Sequence, residues 1–205
     1  EVKPSEMDQV DYSRFSALIT AGTVFAGQPS RDATFRAFEN ARRQGLPVIF
    51  DIDYRPYSWP SAEVASEVLS RAGEESDMIV GNDEEFGFMA GGIDKGLDKA
   101  RELASKGNRL IIYKMGEEGA ITLYNNEEIR TGVFPTQAVK PNGAGDSFMA
   151  GLLSSLASGY NLENSVIRGS ACASIVVSLP GCAPAMPDED QLNEYIINNP
   201  IKDVG

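Results

Sequence analysis

The 205-residue sequence contains no histidine and only two cysteines, and these absences remove whole classes of chemistry. Without histidine there is no serine–histidine–aspartate triad and no histidine-ligated metal centre. Cys172 and Cys182 do not form a CxxC pair, and no histidine is present to complete a zinc site around them. Histidine-based catalysis and cysteine–histidine zinc sites are therefore excluded.

Positive charge is also scarce, since 18 lysines and arginines stand against 30 aspartates and glutamates, for a net charge of −12. Binding to long nucleic acids depends on many basic side chains that neutralise phosphates, so we expect no nucleic-acid partner. The acidic balance does not exclude a nucleotide. Backbone N–H groups and one magnesium ion hold a triphosphate locally, whatever the total charge of the chain.

No stretch of the sequence approaches the ~18 to 20 consecutive apolar residues that a membrane helix needs. The first eleven residues are acidic and polar and do not resemble a signal peptide. We therefore expect a reduced, cytoplasmic protein without a membrane partner. With 42% apolar residues, the chain is long enough for one substantial core and for roughly one domain.

Apolar patterns with the period of a strand alternate with patterns of helical period, which predicts an α/β fold. Short strands are expected at residues 15–20, 47–52, 77–80 and 110–114. Helices are expected at residues 31–44, 61–72, 97–105, 145–158, 162–177 and 188–197. A hairpin of two strands, 120–124 and 128–133, is expected around the turn Asn125-Asn126. The pattern indicates a mostly parallel sheet with a late antiparallel hairpin.

A glycine-rich turn, Gly143-Ala144-Gly145-Asp146, precedes the predicted helix at 145–158. Small residues at a helix entrance let several backbone N–H groups face one anion, with help from the helix dipole. Asp146 would repel such an anion, so its presence needs another reason. It acts either as a general base for phosphoryl transfer or simply as a favourable residue in the first helical turn.

This turn, followed by Ser147-Phe148 and Gly151, resembles the second signature of the ribokinase-like (PfkB) carbohydrate kinases, and the resemblance runs from about Ile19 to Pro187. It implies a three-layer αβα sandwich and an ATP-dependent carbohydrate kinase. It also implies that Asp146 is the catalytic base. The backbone amides of Gly143, Ala144 and Gly145 would form the anion hole for the transferred phosphoryl group.

Two further motifs carry the resemblance. Asn82 and Glu85 match the family's NxxE motif, which implies a role in placing Mg²⁺ near the phosphates. Taken alone, Glu85 is better interpreted as a solvated surface charge, and the presence of the glycine-rich turn reverses that preference. Lys114, Gly116 and Gly119 match a loop that lies along the nucleotide. A simple turn into the hairpin explains the same loop.

A stretch of small residues, 169–173, corresponds to the helix that packs near the adenine in the family. Ordinary close packing between helices accounts for the same composition. Both interpretations stay open at this point.

The string at residues 51–59 begins where a strand is predicted to end, and its Arg55 offers a planar, charged fork suited to a carboxylate. The alternative is a structural ion pair with Asp51 or Asp53. The string resembles that of family members acting on 5-dehydro-2-deoxygluconate in inositol catabolism. Relatives that phosphorylate 2-keto-3-deoxygluconate carry a similar string, usually with asparagine where Asp53 stands.

The sequence departs from the family pattern before the glycines, where Lys140-Pro141 replaces the usual aspartate and threonine. The resemblance gives that aspartate a role in binding an activating monovalent cation, and a lysine cannot ligate one. We therefore expect weak or absent activation by potassium.

The family resemblance predicts that residues 1–205 are the C-terminal part of one kinase domain, without the first strands, the substrate-binding aspartate and glycine pair and the small β lid. Such a chain would bind ATP yet show little or no activity, as a nucleotide-binding fragment. Fructokinase- and ribokinase-type activities also remain as alternatives. A homodimer is expected only of a full-length protein, because family dimers form through the lid.

Overall fold

The computed structural model describes residues 2–107, 109–139 and 142–202. In this part of the chain six strands form one sheet in the order β1-β2-β3-β4-β5-β6. Their bounds are β1 Leu18–Ala21, β2 Val48–Asp51, β3 Met78–Asn82, β4 Leu110–Lys114, β5 Ala120–Tyr124 and β6 Glu127–Thr131. The described residues also form eight α-helices. They are α1 Pro4–Met7, α2 Ser30–Arg43, α3 Ala62–Glu74, α4 Asp83–Ala90, α5 Gly96–Ser105, α6 Ala144–Ala157, α7 Leu162–Ser178 and α8 Glu189–Asn198.

The first four strands are parallel neighbours, and the segments that join them contain helices. The register pairs Leu18 with Val48 and Met78 with Leu110. Parallel strands need such crossover connections, and their faces are covered by the helices. The predicted alternation of strands and helices is therefore confirmed for this region.

The chain divides into two compact units. The first comprises the chain up to Lys114 together with Thr122–Glu128, and the second comprises Met115–Ile121 and everything from Ile129 onward. The first unit thus contains the four parallel strands, and the second contains the long helices α6, α7 and α8.

An aromatic cluster forms part of the core of the first unit. Phe25, Phe38 and Phe50 are fully buried, and the Phe25 ring lies 5.9 Å from each of the other two rings in edge-on contact. The buried face of α2 contains Ala33, Ala37, Phe38 and Ala41, as its helical period predicts, and also Phe35.

The late hairpin turns at two asparagines with positive φ, Asn125 at 52° and Asn126 at 64°. These angles are typical of the type I′ turn that the right-handed twist of paired strands favours. β6 ends at Thr131 rather than at the predicted Val133. Val133 instead forms a separate antiparallel bridge with Lys202, the last residue that the structure describes.

Two glycines allow α6 and α7 to approach each other closely in the second unit. A Cβ at Gly151 would lie 2.7 Å from Cys172 Sγ, and a Cβ at Gly169 would lie 2.8 Å from the carbonyl oxygen of Phe148. Helix α8 is tied to this pair by the buried Arg168. Its guanidinium donates to Ser155 Oγ (2.9 Å), Asn193 Oδ1 (2.7 Å) and Glu189 Oε1 (2.6 Å).

Several predicted boundaries need correction. β1 begins at Leu18 rather than at residue 15, because its pairing with β2 begins there and the Phe15 side chain is largely exposed. β3 extends two residues further than predicted, to Asn82. The helices α1 and α4 were not predicted at all. Among the described residues, no helix combines the length and apolar character needed to cross a bilayer.

Candidate functional site

The glycine-rich turn opens α6 with Gly143 as the N-cap residue. Gly143 has φ +84°, a conformation that a side chain would strain, and its carbonyl accepts the first helical hydrogen bond, from the N–H of Ser147 at 2.9 Å. The N–H groups of Ala144, Gly145 and Asp146 therefore precede the helical ladder. Nothing in the described part of the chain accepts a hydrogen bond from them. This turn presents open donors at the positive end of a helix dipole.

The Asp146 side chain is exposed at the third position of α6. It has no hydrogen-bond partner among residues 2–107, 109–139 and 142–202. Gly143 has no side chain with which Asp146 could form a reciprocal cap. A capping hydrogen bond therefore does not account for Asp146, although the helix dipole still favours an acidic residue there.

Two side chains donate hydrogen bonds to backbone carbonyl oxygens of the glycine-rich turn. The buried Ser147 donates through its hydroxyl to the carbonyl oxygens of Gly143 (2.7 Å) and Ala144 (3.0 Å). Cys182 Sγ donates to the carbonyl oxygen of Asn142 at 3.4 Å, and it would lie 3.1 Å from a Cβ placed on Gly143. No motif in the sequence indicated this role of Cys182. The residues that carry the potassium prediction, Lys140 and Pro141, lie outside the described part of the chain.

Asn82 and Glu85 form a capping box at the start of α4. Asn82 Oδ1 accepts from the N–H of Glu85, and Glu85 Oε2 accepts from the N–H of Asn82, both at 2.8 Å. Glu85 is only 9% exposed, so its interpretation as a solvated surface charge is wrong. The spacing Asn-x-x-Glu is itself the signature of such a box, and it could have revealed α4 from the sequence.

Arg55 lies just beyond β2 and is held by its own neighbours in the chain. Its Nη2 lies 2.7 Å from Asp53 Oδ1, and its Nη1 donates to the carbonyl oxygen of Tyr54 at 3.2 Å. The structural ion pair considered from the sequence is therefore present. The side chain of Arg55 is still 48% exposed, so part of the guanidinium is accessible to a ligand.

The carboxyl ends of three adjacent parallel strands meet at one edge of the sheet in the first unit. Arg55 follows β2, Asn82 ends β3 and Lys114 ends β4, and Asn82 and Lys114 are register partners. Ligands of α/β folds bind at this edge. The structure thus places Asn82 beside Lys114, and it places Arg55 in the loop that leaves the same edge of the sheet.

The loop after β4 belongs to the second unit. It is a tight 3₁₀ turn, Gly116–Glu118, closed by a hydrogen bond from the N–H of Met115 to the carbonyl oxygen of Gly119 at 2.8 Å. The turn interpretation of the sequence is confirmed. The predicted contact of Gly116 and Gly119 with a nucleotide stays a prediction.

The comparison with known families agrees with these motifs. The sequence profile described as the pfkB family of carbohydrate kinases matches residues 2–189, across both units. The chain belongs to the PfkB family.

Relatives within the PfkB family include two bacterial proteins named 5-dehydro-2-deoxygluconokinase. The protein of Geobacillus kaustophilus is 36% identical over 200 residues, which cover 96% of this chain and 60% of the relative. The protein of Photobacterium profundum is 37% identical over 201 residues, with 95% and 60% covered. The chain thus spans about 60% of the length of these relatives.

A solved PfkB-like structure shows the fold at lower identity. The aminoimidazole riboside kinase of Salmonella enterica, complexed with aminoimidazole riboside and an ATP analog, superposes with a TM-score of 0.81 at 24% identity. The match covers 95% of this chain and 66% of that protein. The predicted ribokinase-like α/β fold is confirmed.

Of the motif residues, Glu85 suits a magnesium ion that keeps most of its own water ligands. Among the described residues, no cluster of three or more acidic or cysteine side chains is placed to hold a metal ion. Glu85 is a buried carboxylate whose Oε2 is already engaged in the cap. Magnesium usually keeps several waters and binds through one or two carboxylates plus phosphates, and such an arrangement suits Glu85.

The small-residue stretch 169–173 lies in α7, and the close packing of α6 against α7 accounts for Gly169 and Cys172. Burial raises the pKa of the Cys172 thiol to about 11. Such a thiol stays protonated at neutral pH and behaves as a small apolar core residue.

Proposed function

We propose that this chain is the nucleotide-binding and base-carrying part of an ATP-dependent carbohydrate kinase. Its predicted substrate is a keto-deoxy sugar acid, first of all 5-dehydro-2-deoxygluconate. Membership of the PfkB family supports a kinase, and relatives named 5-dehydro-2-deoxygluconokinase at 36 and 37% identity support the substrate. We propose further that both units belong to one kinase domain.

One observation carries the proposal, namely the open first turn of α6 with an exposed carboxylate three residues into the helix. The N–H groups of the Gly143–Gly145 turn are suited to hold the oxygens of a phosphoryl group, because they lie at the positive end of the helix dipole and have no acceptor in the described structure. Asp146 accepts the proton of the attacking hydroxyl. ATP supplies the phosphoryl group when it is bound.

The other predicted site residues, from both units, supply the remaining roles. Arg55 binds the carboxylate of the sugar acid through its exposed N–H groups. Lys114 binds phosphate oxygens, and the turn with Gly116 and Gly119 lies along the nucleotide. Asn82 fixes the start of α4, and Glu85 orients waters of the magnesium ion.

Other substrates of the family remain as alternatives. A kinase for 2-keto-3-deoxygluconate would use the same carboxylate interaction. Fructose and ribose, the substrates of fructokinase- and ribokinase-type activities, have no carboxylate for an arginine to bind. Arg55 therefore favours a sugar acid over fructose or ribose.

A coupled assay of ADP release tests the proposal. The chain, and a protein of the relatives' full length that contains it, are each incubated with ATP, Mg²⁺ and one of 5-dehydro-2-deoxygluconate, 2-keto-3-deoxygluconate, fructose and ribose, and ATP alone gives the background rate. We expect the largest sugar-dependent rate with 5-dehydro-2-deoxygluconate. A larger rate with fructose or ribose would contradict the sugar-acid assignment.

Calorimetry with ATP separates a second class of function from the first. Binding of ATP without any sugar-dependent ADP release would identify a nucleotide-binding fragment that lacks catalysis. This alternative is supported by one observation, that the chain spans only about 60% of the length of its relatives. Absence of ATP binding would contradict both the kinase function and the nucleotide-binding fragment.

We also propose a cytoplasmic location, since Cys172 and Cys182 are both free thiols, as is usual in a reducing compartment. The expected homodimer belongs to a protein of the relatives' full length.

A further inference from the structure

Asp53 has an unusual backbone conformation at the proposed sugar-acid site. Its φ is +33°, and among the described residues only Asn125 and Asn126, at the hairpin turn, are other non-glycine residues with positive φ. Such angles cost free energy and persist only where surrounding interactions hold them. Asp53 is not part of a hairpin turn, so its conformation depends on other contacts, among them those of its side chain.

Each carboxylate oxygen of Asp53 has its own partner. Oδ1 lies 2.7 Å from Nη2 of Arg55, and Oδ2 accepts a hydrogen bond from the hydroxyl of Thr23 at 3.3 Å. Thr23 lies 30 residues earlier, in the 3₁₀ turn Gly22–Phe25 that follows β1. The carboxylate thus links the loop after β2 to the end of a neighbouring strand.

Arg55 is held at both of its terminal nitrogens, since Nη1 donates to the carbonyl oxygen of Tyr54 while Nη2 meets Asp53. A guanidinium has five N–H donors in a rigid plane, and these two contacts use two of them. With 48% of the side chain exposed, the other donors are accessible to a ligand in a fixed orientation.

We propose that Asp53 is a positioning residue that orients Arg55 for the carboxylate of the substrate, an inference that rests on the proposed sugar-acid function. The oriented guanidinium loses less side-chain freedom when the ligand binds. Asp53 also cancels the charge of Arg55, so that binding depends on a geometric match with the N–H donors rather than on net attraction. A planar carboxylate satisfies that match.

The test compares Asp53→Asn with Asp53→Gly in the full 205-residue chain. Both variants remove the negative charge, and both residues tolerate a positive φ, but only asparagine keeps an oxygen that accepts from Arg55, together with an amide N–H that donates to the Thr23 hydroxyl. The ligands are D-gluconate and its neutral control D-glucitol, which has the same carbon chain without the carboxylate. NMR titration gives the Kd of each ligand. The guanidinium signals of Arg55, assigned with Arg55→Lys, report whether the group rotates freely.

We expect restricted rotation of Arg55 in the wild type and in Asp53→Asn, and free rotation in Asp53→Gly. Gluconate should bind Asp53→Gly about 2- to 10-fold more weakly than Asp53→Asn, the factor for re-ordering one long side chain. Binding of glucitol should be the same in both variants.

Equal affinity of the two variants for gluconate would overturn the inference and leave the proposed function intact. A parallel loss of glucitol binding in Asp53→Gly would also overturn it, because it would indicate collapse of the loop rather than loss of orientation. Failure of gluconate to bind the wild type and both variants would instead contradict the sugar-acid function, and the inference with it.

Discussion

The first turns of α4 and α6 place an acidic residue at the same helical position and use it in opposite ways. In each helix the carboxylate stands three residues after the N-cap, as Glu85 after Asn82 and as Asp146 after Gly143. Glu85 reaches back and bonds to the N–H of Asn82, whereas Asp146 extends into solvent. The difference begins with the N-cap residue, because asparagine has a side chain to cap the turn and glycine has none.

The comparison shows how a helix end becomes available for a ligand. At α4 the capping box satisfies two of the orphan donors and fixes the carboxylate. At α6 the donors before the helical ladder find no acceptor in the described structure, and uncapped donors are a liability unless water or a ligand satisfies them. An acidic residue at the third helical position is thus a structural partner in one turn and a free carboxylate in the other.

Asp146→Asn should give the largest effect. The change removes a proton acceptor but leaves the donors of the turn in place, so turnover should fall by about 10²- to 10⁴-fold while ATP binding stays nearly unchanged. The measurements are turnover in a protein of the relatives' full length that contains this chain, and calorimetric ATP affinity. Asp190→Asn is the matched control, an exposed acidic residue in the first turn of α8 that should leave turnover unaffected. Comparable turnover of Asp146→Asn and wild type would remove Asp146 from catalysis.

The next largest effect is expected in the rates at which the two cysteines are alkylated. Cys182 is exposed beside the open turn, whereas Cys172 is buried in α7 with a pKa of about 11. At pH 8 the thiolate fraction of Cys172 is on the order of 10⁻³, and the thiolate is the reactive form. Iodoacetamide should therefore modify Cys182 at least about 100-fold faster, as mass spectrometry of the digested protein would show. Equal rates in the folded chain would contradict the burial of Cys172.

The same pKa predicts a loss of stability in alkali. Because the folded state favours the protonated Cys172 thiol, its contribution is complete below the ordinary thiol pKa and is lost as the pH rises through about 11. Urea unfolding at pH 8 and pH 11 should show a smaller alkaline loss in Cys172→Ala than in the wild type. Tyrosines ionise in the same range, so the difference between the two proteins is the quantity to compare.

Gly143→Ala should destabilise the open turn by about 1 to 3 kcal/mol, because alanine is strained at φ +84°. Its Cβ would also lie only 3.1 Å from the Cβ and Sγ of Cys182. Urea unfolding measures the loss. The double variant with Cys182→Ala relieves the Sγ contact and leaves the backbone strain. A loss below about 0.5 kcal/mol in the single variant would mean that the turn adapts easily.

The smallest expected effects are on the free energy of unfolding, and they distinguish the capped Glu85 from the uncapped Asp146. Asn82→Ala breaks the capping box and should lower the free energy of unfolding by about 1 kcal/mol, within the usual range of about 0.5 to 2 kcal/mol for an N-cap. Asp146→Ala removes an exposed side chain without a partner and should change it by less than about 0.5 kcal/mol. A loss for Asp146→Ala as large as that for Asn82→Ala would show that Asp146 is a cap after all.

Much of the architecture follows from local patterns. The hairpin at Asn125-Asn126 and the starts of α3, α6, α7 and α8 lie within one residue of their predicted places. Each of these features depends on the conformational preferences of a few adjacent residues. α4 is the exception, since the acidic run at residues 83–85 hid a capping box that the same local rules describe.

The sequence by itself determined the α/β fold, the family and the glycine-rich turn before α6, because strand and helix periods and turn chemistry act over short stretches of chain. Only the tertiary structure decided which side chains support the site. Thr23 reaches Asp53 across 30 residues, and Cys182 reaches Asn142 across 40. Contacts of this kind arise where the sheet and the helices bring distant residues together, and no local pattern encodes them.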